Sequence, residues 1–512
     1  MGFIISKNIS NFVYRNTFNA LSIVKKFFKV LYMEKGTLKT WILAAIMLLV
    51  PTALVIVDPH VIGLDEMTGN QQQMLAIFCF AALSWIFELY PAWVTSIAVI
   101  ALISLTTSDS AFTFYLNWQA PGQQLGKVVK SSSMLRCFGD PSIILYIGGL
   151  VMALTASKIG LDAKVARAIL HPFGKKPKYV LLGVMIATGF LSMFMSDTAT
   201  TALMIGVMTP VFAALGDDKK GKAAIALSVT FAALIGGIGT PVGTPPAMLA
   251  YNEINDPDGL NMHLTFGGWM AVMVPLCIVL IFVAWQLLVW LFPFKAKEIE
   301  VKFVDKSTSR RQLIIVVGTY VLTIFLWLTE HITGVNNNVA ALVPIVILSV
   351  FGIFTTSDIN KLPWSVLWMF AGGLALGYGM DDVGLSTYLV AMVPFGAMSP
   401  VVILIVSALL CWVLSNFISN TGTAALIIPV LSAMAISMGH TLDPVGGATA
   451  IIMGIAISAS MAMSLPVSTP GNAIAFSTGH VTQRQMATAG VIIGLIGLAI
   501  GYVFVAFAGR LM

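Results

Sequence analysis

Two short polar blocks, each inside a long apolar run, hold the side chains best suited to bind a ligand. They read Ser196-Asp197-Thr198 and Ser419-Asn420-Thr421. Ser, Thr, Asp and Asn commonly cap the first turn of a helix, where backbone N–H groups lack partners and the helix dipole favours an anion. The residues of these two blocks therefore predict a binding site for a small anion.

Two loops rich in Gly, Pro and Thr follow the polar blocks along the chain. One reads Pro241-Val242-Gly243-Thr244-Pro245 and the other Pro466-Val467-Ser468-Thr469-Pro470. Proline interrupts a helix because it lacks the N–H donor and clashes with the preceding turn, which frees carbonyl oxygens. Oxygen ligands without His or thiolate favour a hard cation such as Na+. The loop residues predicted for this site are Thr240, Thr244, Pro245, Thr469, Pro470 and Asn472.

The chain is too apolar for a soluble protein. Of its 512 residues, 58% are hydrophobic and 10% are charged, and the mean hydropathy is +0.92, whereas soluble domains hold about 25% charged residues. Apolar runs long enough to cross a bilayer recur from residue 40 to residue 508. The Lys and Arg residues gather in a few loops, as in cytoplasmic loops of membrane proteins, which excludes nucleic acid as a partner. The cysteines show no metal-binding spacing, and no cofactor is predicted beyond a coupling ion.

The polar blocks lie in apolar segments whose length does not suit a single span. Between Tyr179 and Gly216 the one charged residue is Asp197, and roughly 38 residues would reach about 57 Å as one helix, against about 30 Å of hydrocarbon. The segment predicts a re-entrant hairpin over residues 179–216, with both ends cytoplasmic and its tip near Ser196. Residues 400–438 predict a second hairpin with both ends outside. Irregular backbone at this depth must face protein or a wet cavity.

The blocks and loops belong to an internal repeat. Gly148-Gly149-Leu150 recurs as Gly372-Gly373-Leu374, and the polar blocks and proline loops recur in the same order, at offsets of 223 to 225 positions. The charge pattern places the two copies in opposite orientation across the membrane. Inverted repeats whose broken helices meet near the bilayer midplane are typical of secondary transporters.

These motifs resemble those of the divalent anion:sodium symporter (DASS) family, which carries dicarboxylates, citrate or sulfate. That family has paired Ser-Asn-Thr motifs at the tips of an inner and an outer hairpin, and an LPxxTxxNAI block similar to the stretch from Leu465 to Phe476. The resemblance begins near residue 40 and covers nearly all of the chain. It implies an all-α polytopic protein with about eleven transmembrane helices and two hairpins. It also implies a homodimer and a transport domain that moves like an elevator against a scaffold domain.

Topology and resemblance together predict how the chain is divided. The predicted parts are a cytoplasmic amphipathic segment at 1–38, scaffold helices at 39–141, the first inverted repeat at 142–292, a basic cytoplasmic linker at 293–311, further scaffold helices at 312–362, and the second inverted repeat at 363–512. We expect a bacterial inner-membrane protein with the N-terminus in the cytoplasm and the C-terminus outside.

The resemblance also implies which residues bind which ligand. The substrate carboxylates would contact the two polar blocks, which comprise Ser196, Asp197, Thr198, Ser419, Asn420 and Thr421. One Na+ would bind at Ser192, Ser196, Asp197 and Gly243, and the other at Ser415, Ser419, Asn420 and Ser468.

Asp197 departs from the family pattern, which has Asn at this position. A carboxylate at membrane depth is costly and repels a dianion. Either a bound Na+ neutralises it, which makes cation occupancy a precondition for the anion, or the carboxyl holds a proton and donates a hydrogen bond as Asn would. The second possibility permits proton coupling.

The sequence predicts a secondary active transporter for a small divalent anion, a C4-dicarboxylate such as succinate or malate, coupled to Na+. Proton coupling, dicarboxylate exchange, and sulfate or citrate as substrate remain open alternatives. An enzyme would need a nucleophile with a base, a metal cluster or paired carboxylates in the apolar segments, where Asp197 is solitary. The inverted repeat with broken helices favours alternating access over a channel.

Overall fold

The computed structural model describes residues 38–64, 66–87, 89–116, 123–257, 259–299, 309–392 and 398–510. Nearly all of the predicted N-terminal segment (1–38) and the middle of the predicted basic linker lie outside these ranges. Within them the regular structure is helical, apart from an isolated bridge between Ser108 and Val129. The all-α prediction is confirmed.

The first half of the described chain contains thirteen helices. They are α1 Leu38–Ile56, α2 Gly69–Phe87, α3 Ala92–Thr106, α4 Thr113–Leu116, α5 Ser131–Arg136, α6 Pro141–Ile159, α7 Leu161–Leu170, α8 Pro177–Ser192, α9 Asp197–Val207, α10 Thr209–Ala214, α11 Lys219–Gly237, α12 Pro245–Asn255 and α13 Phe266–Leu291.

The second half of the described chain contains twelve more. They are α14 Arg310–Leu328, α15 Glu330–Thr333, α16 Asn337–Ala340, α17 Leu342–Val350, α18 Thr356–Ile359, α19 Trp364–Asp382, α20 Leu385–Met392, α21 Pro400–Phe417, α22 Asn420–Met438, α23 Gly447–Ser460, α24 Pro470–Ser477 and α25 Gln483–Gly509. Short 3-10 turns occur at Pro59–Ile62, Cys137–Gly139, His171–Phe173 and Gly439–Val445.

Many of these helices suit a lipid bilayer. By length and composition, seven helical stretches of the described chain could cross a membrane, and five shorter apolar helices accompany them. The longest, α13 and α25, have mean hydropathies of 2.7 and 2.6. A multi-pass membrane protein follows from this set.

Both predicted hairpins are present. α8 and α9 form the first, whose tip (the first tip) comprises residues 193–196, and α21 and α22 form the second, whose tip (the second tip) comprises residues 418–419. The serine that ends each tip caps the outgoing helix: Ser196 Oγ accepts from the N–H of Ala199 at 3.3 Å, and Ser419 Oγ accepts from Gly422 at 3.2 Å. These caps satisfy backbone donors that would otherwise be unpaired at the start of a helix.

Both predicted helix breaks are also present. The first break, residues 238–244, separates α11 from α12, and the second break, residues 461–469, separates α23 from α24. Each outgoing helix begins with proline, at Pro245 and Pro470. Proline suits the first turn because its missing N–H would have no helical partner there.

The hairpins and broken helices pack on one another. α8 lies against α11, which contacts α13, and α13 contacts α25; α25 contacts α23, which in turn contacts α12, α21 and α22. The crossing of α8 and α11 is close because two glycines meet: a Cβ on Gly236 would lie 2.2 Å from the carbonyl oxygen of Gly189. Elsewhere α19 packs against α3, and α6 packs against α16 and α17.

One predicted span is divided. Residues 338–354 were expected to form one helix, but α16 ends at Ala340 and α17 ends at Val350. Pro344 lies near the interruption, and proline cannot donate the N–H that would bond to the carbonyl of Ala340 in a continuous helix. The expectation of a single span was therefore wrong.

Candidate substrate and cation site

A single cavity of about 1100 Å³ is lined by both tips and both breaks. The predicted site residues that line it are Ser196, Asp197, Thr198, Thr244, Pro245, Ser419, Asn420, Thr421, Ser468, Thr469 and Pro470. They lie up to 274 positions apart in the chain, from Ser196 to Pro470. The fold thus brings the matching parts of the two repeats to one place.

The second tip offers an amide donor to the cavity. The hydroxyl of Ser415 lies 2.8 Å from Oδ1 of Asn420 and donates to it, which fixes the orientation of the amide. The Nδ2 of Asn420 has no hydrogen-bond partner in the described structure, although the residue is only 6% exposed. A buried donor without a partner is costly, so this group is well placed to meet an acceptor on a ligand.

The first tip offers a carboxylate instead. Asp197 Oδ2 accepts a hydrogen bond of 3.4 Å from the hydroxyl of Thr244. Ser192, the counterpart of Ser415, bonds at 2.7 Å to the carbonyl oxygen of Ala233 rather than to Asp197. The two tips are therefore alike in backbone and different in what their central side chains present.

Hydroxyl groups tie each tip to the neighbouring break. At the second tip, Ser468 Oγ donates to the carbonyl of Asn416 at 2.9 Å. At the first tip the residue matching Ser468 is Gly243, and the hydroxyl of Thr240 instead donates to the carbonyl of Met193. The same kind of link is thus made from a non-equivalent position.

The remaining predicted cation residues are buried and do not line the cavity. This group comprises Ser192, Thr240, Gly243, Ser415 and Asn472. Gly243 lies so close to neighbouring carbonyls that a Cβ there would be 2.4 Å from the oxygen of Gly237 and 2.7 Å from that of Ser192. Carbonyl and hydroxyl oxygens at close quarters fit a hard cation such as Na+.

Comparison with known proteins identifies the family. A model described as the transmembrane region of sodium:sulfate symporters matches residues 38–512. The chain belongs to this family. Its members are transporters, so it is a membrane transporter and not an enzyme.

Two curated members of the symporter family illustrate the relationship. The sodium-dependent dicarboxylate transporter SdcS of Staphylococcus saprophyticus is 28% identical over 473 residues, which cover 85% of this chain and 86% of that protein. SdcS of Staphylococcus aureus strain USA300 is 28% identical over 464 residues, covering 83% and 84%.

Solved transporter structures share the fold at low sequence identity. The YdaH transporter of Alcanivorax borkumensis has a TM-score of 0.50 and 12% identity, and the match covers 82% of this chain and 98% of that one. MtrF of Neisseria gonorrhoeae, described as an antimetabolite efflux pump, has a TM-score of 0.50 and 13% identity, with coverage of 83% and 96%.

Two polar residues that sequence reasoning missed support the site of this symporter-family member. Thr230 on α11 donates at 2.7 Å to Oδ1 of Asn472, joining the two repeats. Asn416 accepts from the N–H of Ser464 at 3.0 Å through its side chain. Asn416 directly follows Ser415, so its proximity to the second polar block was a usable signal. Thr230 lies in an apolar run and is identified only by its long-range contact.

A cluster of charged residues, the mouth cluster, lines the cavity away from the tips. It comprises Lys158, Asp358 and Lys361. The Asp358 carboxylate is 1% exposed and lies 2.5 Å from the ammonium of Lys158 and 3.3 Å from that of Lys361. Thr355 adds hydrogen bonds from its N–H at 3.0 Å and its hydroxyl at 2.7 Å. Hydrogen bonding, from Lys158 above all, holds the pKa of Asp358 below its usual range.

Replacing Asp358 with Asn is expected to lower stability most at neutral pH. The charged hydrogen bonds of this carboxylate should contribute about 1–3 kcal/mol. Because folding lowers its pKa, that contribution is fully present above the pKa of the unfolded chain and is lost as the pH falls through the folded value. Melting temperatures of purified wild type and Asp358→Asn should therefore converge on acidification. The exposed Asp217, replaced with Asn, is the control, and a difference independent of pH would contradict the prediction.

Proposed function

We propose that this protein is a Na+-coupled symporter of a small dicarboxylate of C4 size, such as succinate or malate. The observation that carries the proposal is the pairing of two capped hairpin tips around one cavity, with the unpartnered amide of Asn420 directed to a ligand. Helix N-termini and amide donors suit carboxylates. The curated relatives named as sodium-dependent dicarboxylate transporters support this choice.

The proposed ligand contacts follow the two polar blocks. Ser196, Asp197 and Thr198 at one tip, with Ser419, Asn420 and Thr421 at the other, would hold the two ends of the substrate. The buried oxygen atoms around Ser192 and Gly243, and around Ser415 and Ser468, would hold Na+ beside each tip. An ion bound there places positive charge next to the anion, so each ligand favours the binding of the other.

We further propose that the protein works as a homodimeric elevator. The helices that carry both tips pack on one another, which would let them move together as a transport domain. The cavity reaches the mouth cluster, whose lysines lie in loops that the charge pattern predicts to be cytoplasmic. On that orientation the cavity opens inward, and the N-terminus is cytoplasmic.

Proton coupling is the second candidate, and Asp197 is the reason. A carboxyl in this position of the first tip can hold a proton in place of a cation. Uptake of labelled succinate into proteoliposomes separates the candidates, with an inward Na+ gradient, then a proton gradient, then internal succinate alone. Accumulation that requires Na+ supports the proposal. Uptake that follows protons or needs only internal substrate supports proton coupling or exchange, and no uptake of any dicarboxylate would contradict both.

Replacing Thr421 with Ala is expected to raise the KM for substrate about tenfold, because one hydroxyl donor to a carboxylate is removed. Thr421 is 8% exposed and lines the cavity at the second tip. Uptake kinetics in proteoliposomes measure the effect. The exposed Thr441, replaced with Ala, loses the same hydroxyl far from the cavity and should behave as wild type. Unchanged kinetics in Thr421→Ala would remove this residue from the site.

A further inference from the structure

The two tips are equivalent in the repeat but present opposite hydrogen-bonding groups to the cavity. We propose that the substrate binds with unlike ends: a carboxylate at the second tip, and a neutral group that donates a hydrogen bond, such as a carboxamide or protonated carboxyl, at Asp197. The preferred ligand would thus be a singly charged acid of C4 size rather than a symmetric dianion. This inference rests on the proposed transport function and specifies its substrate class.

The second tip is built to donate. Ser415 occupies the acceptor oxygen of the Asn420 amide at 2.8 Å, which leaves Nδ2 as the group without a partner. The residue is 6% exposed and lines the cavity. An amide held in this way can donate to a carboxylate but has no oxygen left to receive a donor from the ligand.

The first tip is built to accept. An ionised carboxylate has acceptor oxygens and no donor, and the hydroxyl that Asp197 receives comes from Thr244 at 3.4 Å. Thr244 also lines the cavity. A ligand carboxylate at this end would face like charge, whereas a ligand N–H or O–H would gain a charge-assisted hydrogen bond.

No cationic side chain that lines the cavity is free to neutralise Asp197. The other charged residues of the described cavity wall are Lys158, Asp358 and Lys361. Both lysines pair with Asp358, at 2.5 and 3.3 Å. The buried oxygens around Ser192 and Gly243, proposed for Na+, do not line the cavity. The carboxylate of Asp197 is therefore available to the substrate itself.

The test compares succinate with its monoamide, succinamate, at neutral pH. Each compound competes with labelled succinate for Na+-driven uptake by proteoliposomes holding wild type or Asp197→Asn. We expect succinamate to compete better than succinate with wild type. In Asp197→Asn the amide again offers a donor to the ligand, and the preference should shift towards succinate by about tenfold or more, the size of one hydrogen bond to a charged group.

The outcomes separate this inference from the proposed function. Na+-driven uptake with the same ranking of the two compounds in both proteins would keep the symporter and overturn the inference, since Asp197 would then act as a protonated or cation-bound equivalent of Asn. If uptake is too weak to rank them, the shift in melting temperature caused by each compound gives the ranking by direct binding. If Asp197→Asn does not fold, a wild type that prefers succinate tenfold overturns the inference alone.

Discussion

Gly243→Ala is expected to abolish Na+-driven uptake. The added Cβ would lie 2.4 Å from the oxygen of Gly237 and 2.7 Å from the oxygen of Ser192. Both atoms belong to the backbone, so no flexible side chain can move aside, and the first break must separate from the first tip. The proposed cation site between them would then open. Uptake of labelled succinate into proteoliposomes measures the loss.

A matched glycine controls for the loss of flexibility. Gly206 lies on α9 of the same hairpin, and a Cβ built there meets no atom within 4 Å. Ala is a better helix former than Gly, so Gly206→Ala should transport as wild type does. The melting temperature of purified Gly243→Ala should also rise less with added NaCl, because less Na+ binds to the folded state. Wild-type uptake in Gly243→Ala would exclude a role for this close contact.

Asn420→Ala is expected to weaken substrate binding about 10- to 100-fold. The reason is the removal of the unpartnered Nδ2 donor, since a hydrogen bond to a charged group contributes about 1.5–3 kcal/mol. Truncation also leaves the hydroxyl of Ser415 without Oδ1, although that hydroxyl retains the carbonyl oxygen of Ala459 at 3.2 Å. The protein should therefore fold while its affinity falls. The KM for uptake and the succinate-induced rise in melting temperature measure the change.

The control for this variant is an exposed asparagine. Asn360 follows α18 on the surface, and Asn360→Ala removes the same amide away from both tips. It should leave uptake unchanged. A KM for Asn420→Ala within twofold of wild type would show that the amide does not contact the substrate.

The hairpins were accessible to sequence reasoning because their signal is physical and local. A run from Tyr179 to Gly216 that is too long for one crossing and bounded by lysines must turn back, and a serine followed by a helix former marks the turn. The same reasoning placed the breaks, since proline cannot continue a helix. It failed at residues 338–354, where the effect of Pro344 on a shorter apolar run was not considered.

The sequence by itself determined the class of protein, the two hairpins, the two breaks and the residues at their ends, because these depend on composition, length and the repeat. Only the tertiary structure decided how those residues differ in use. That Ser415 orients Asn420 while Ser192 bonds elsewhere, that Thr240 makes the link expected of Gly243, and that Thr230 joins Asn472 are results of packing between segments far apart in the chain. A hydrogen-bond partner depends on side-chain direction within a packed core, and a one-dimensional pattern does not contain that direction.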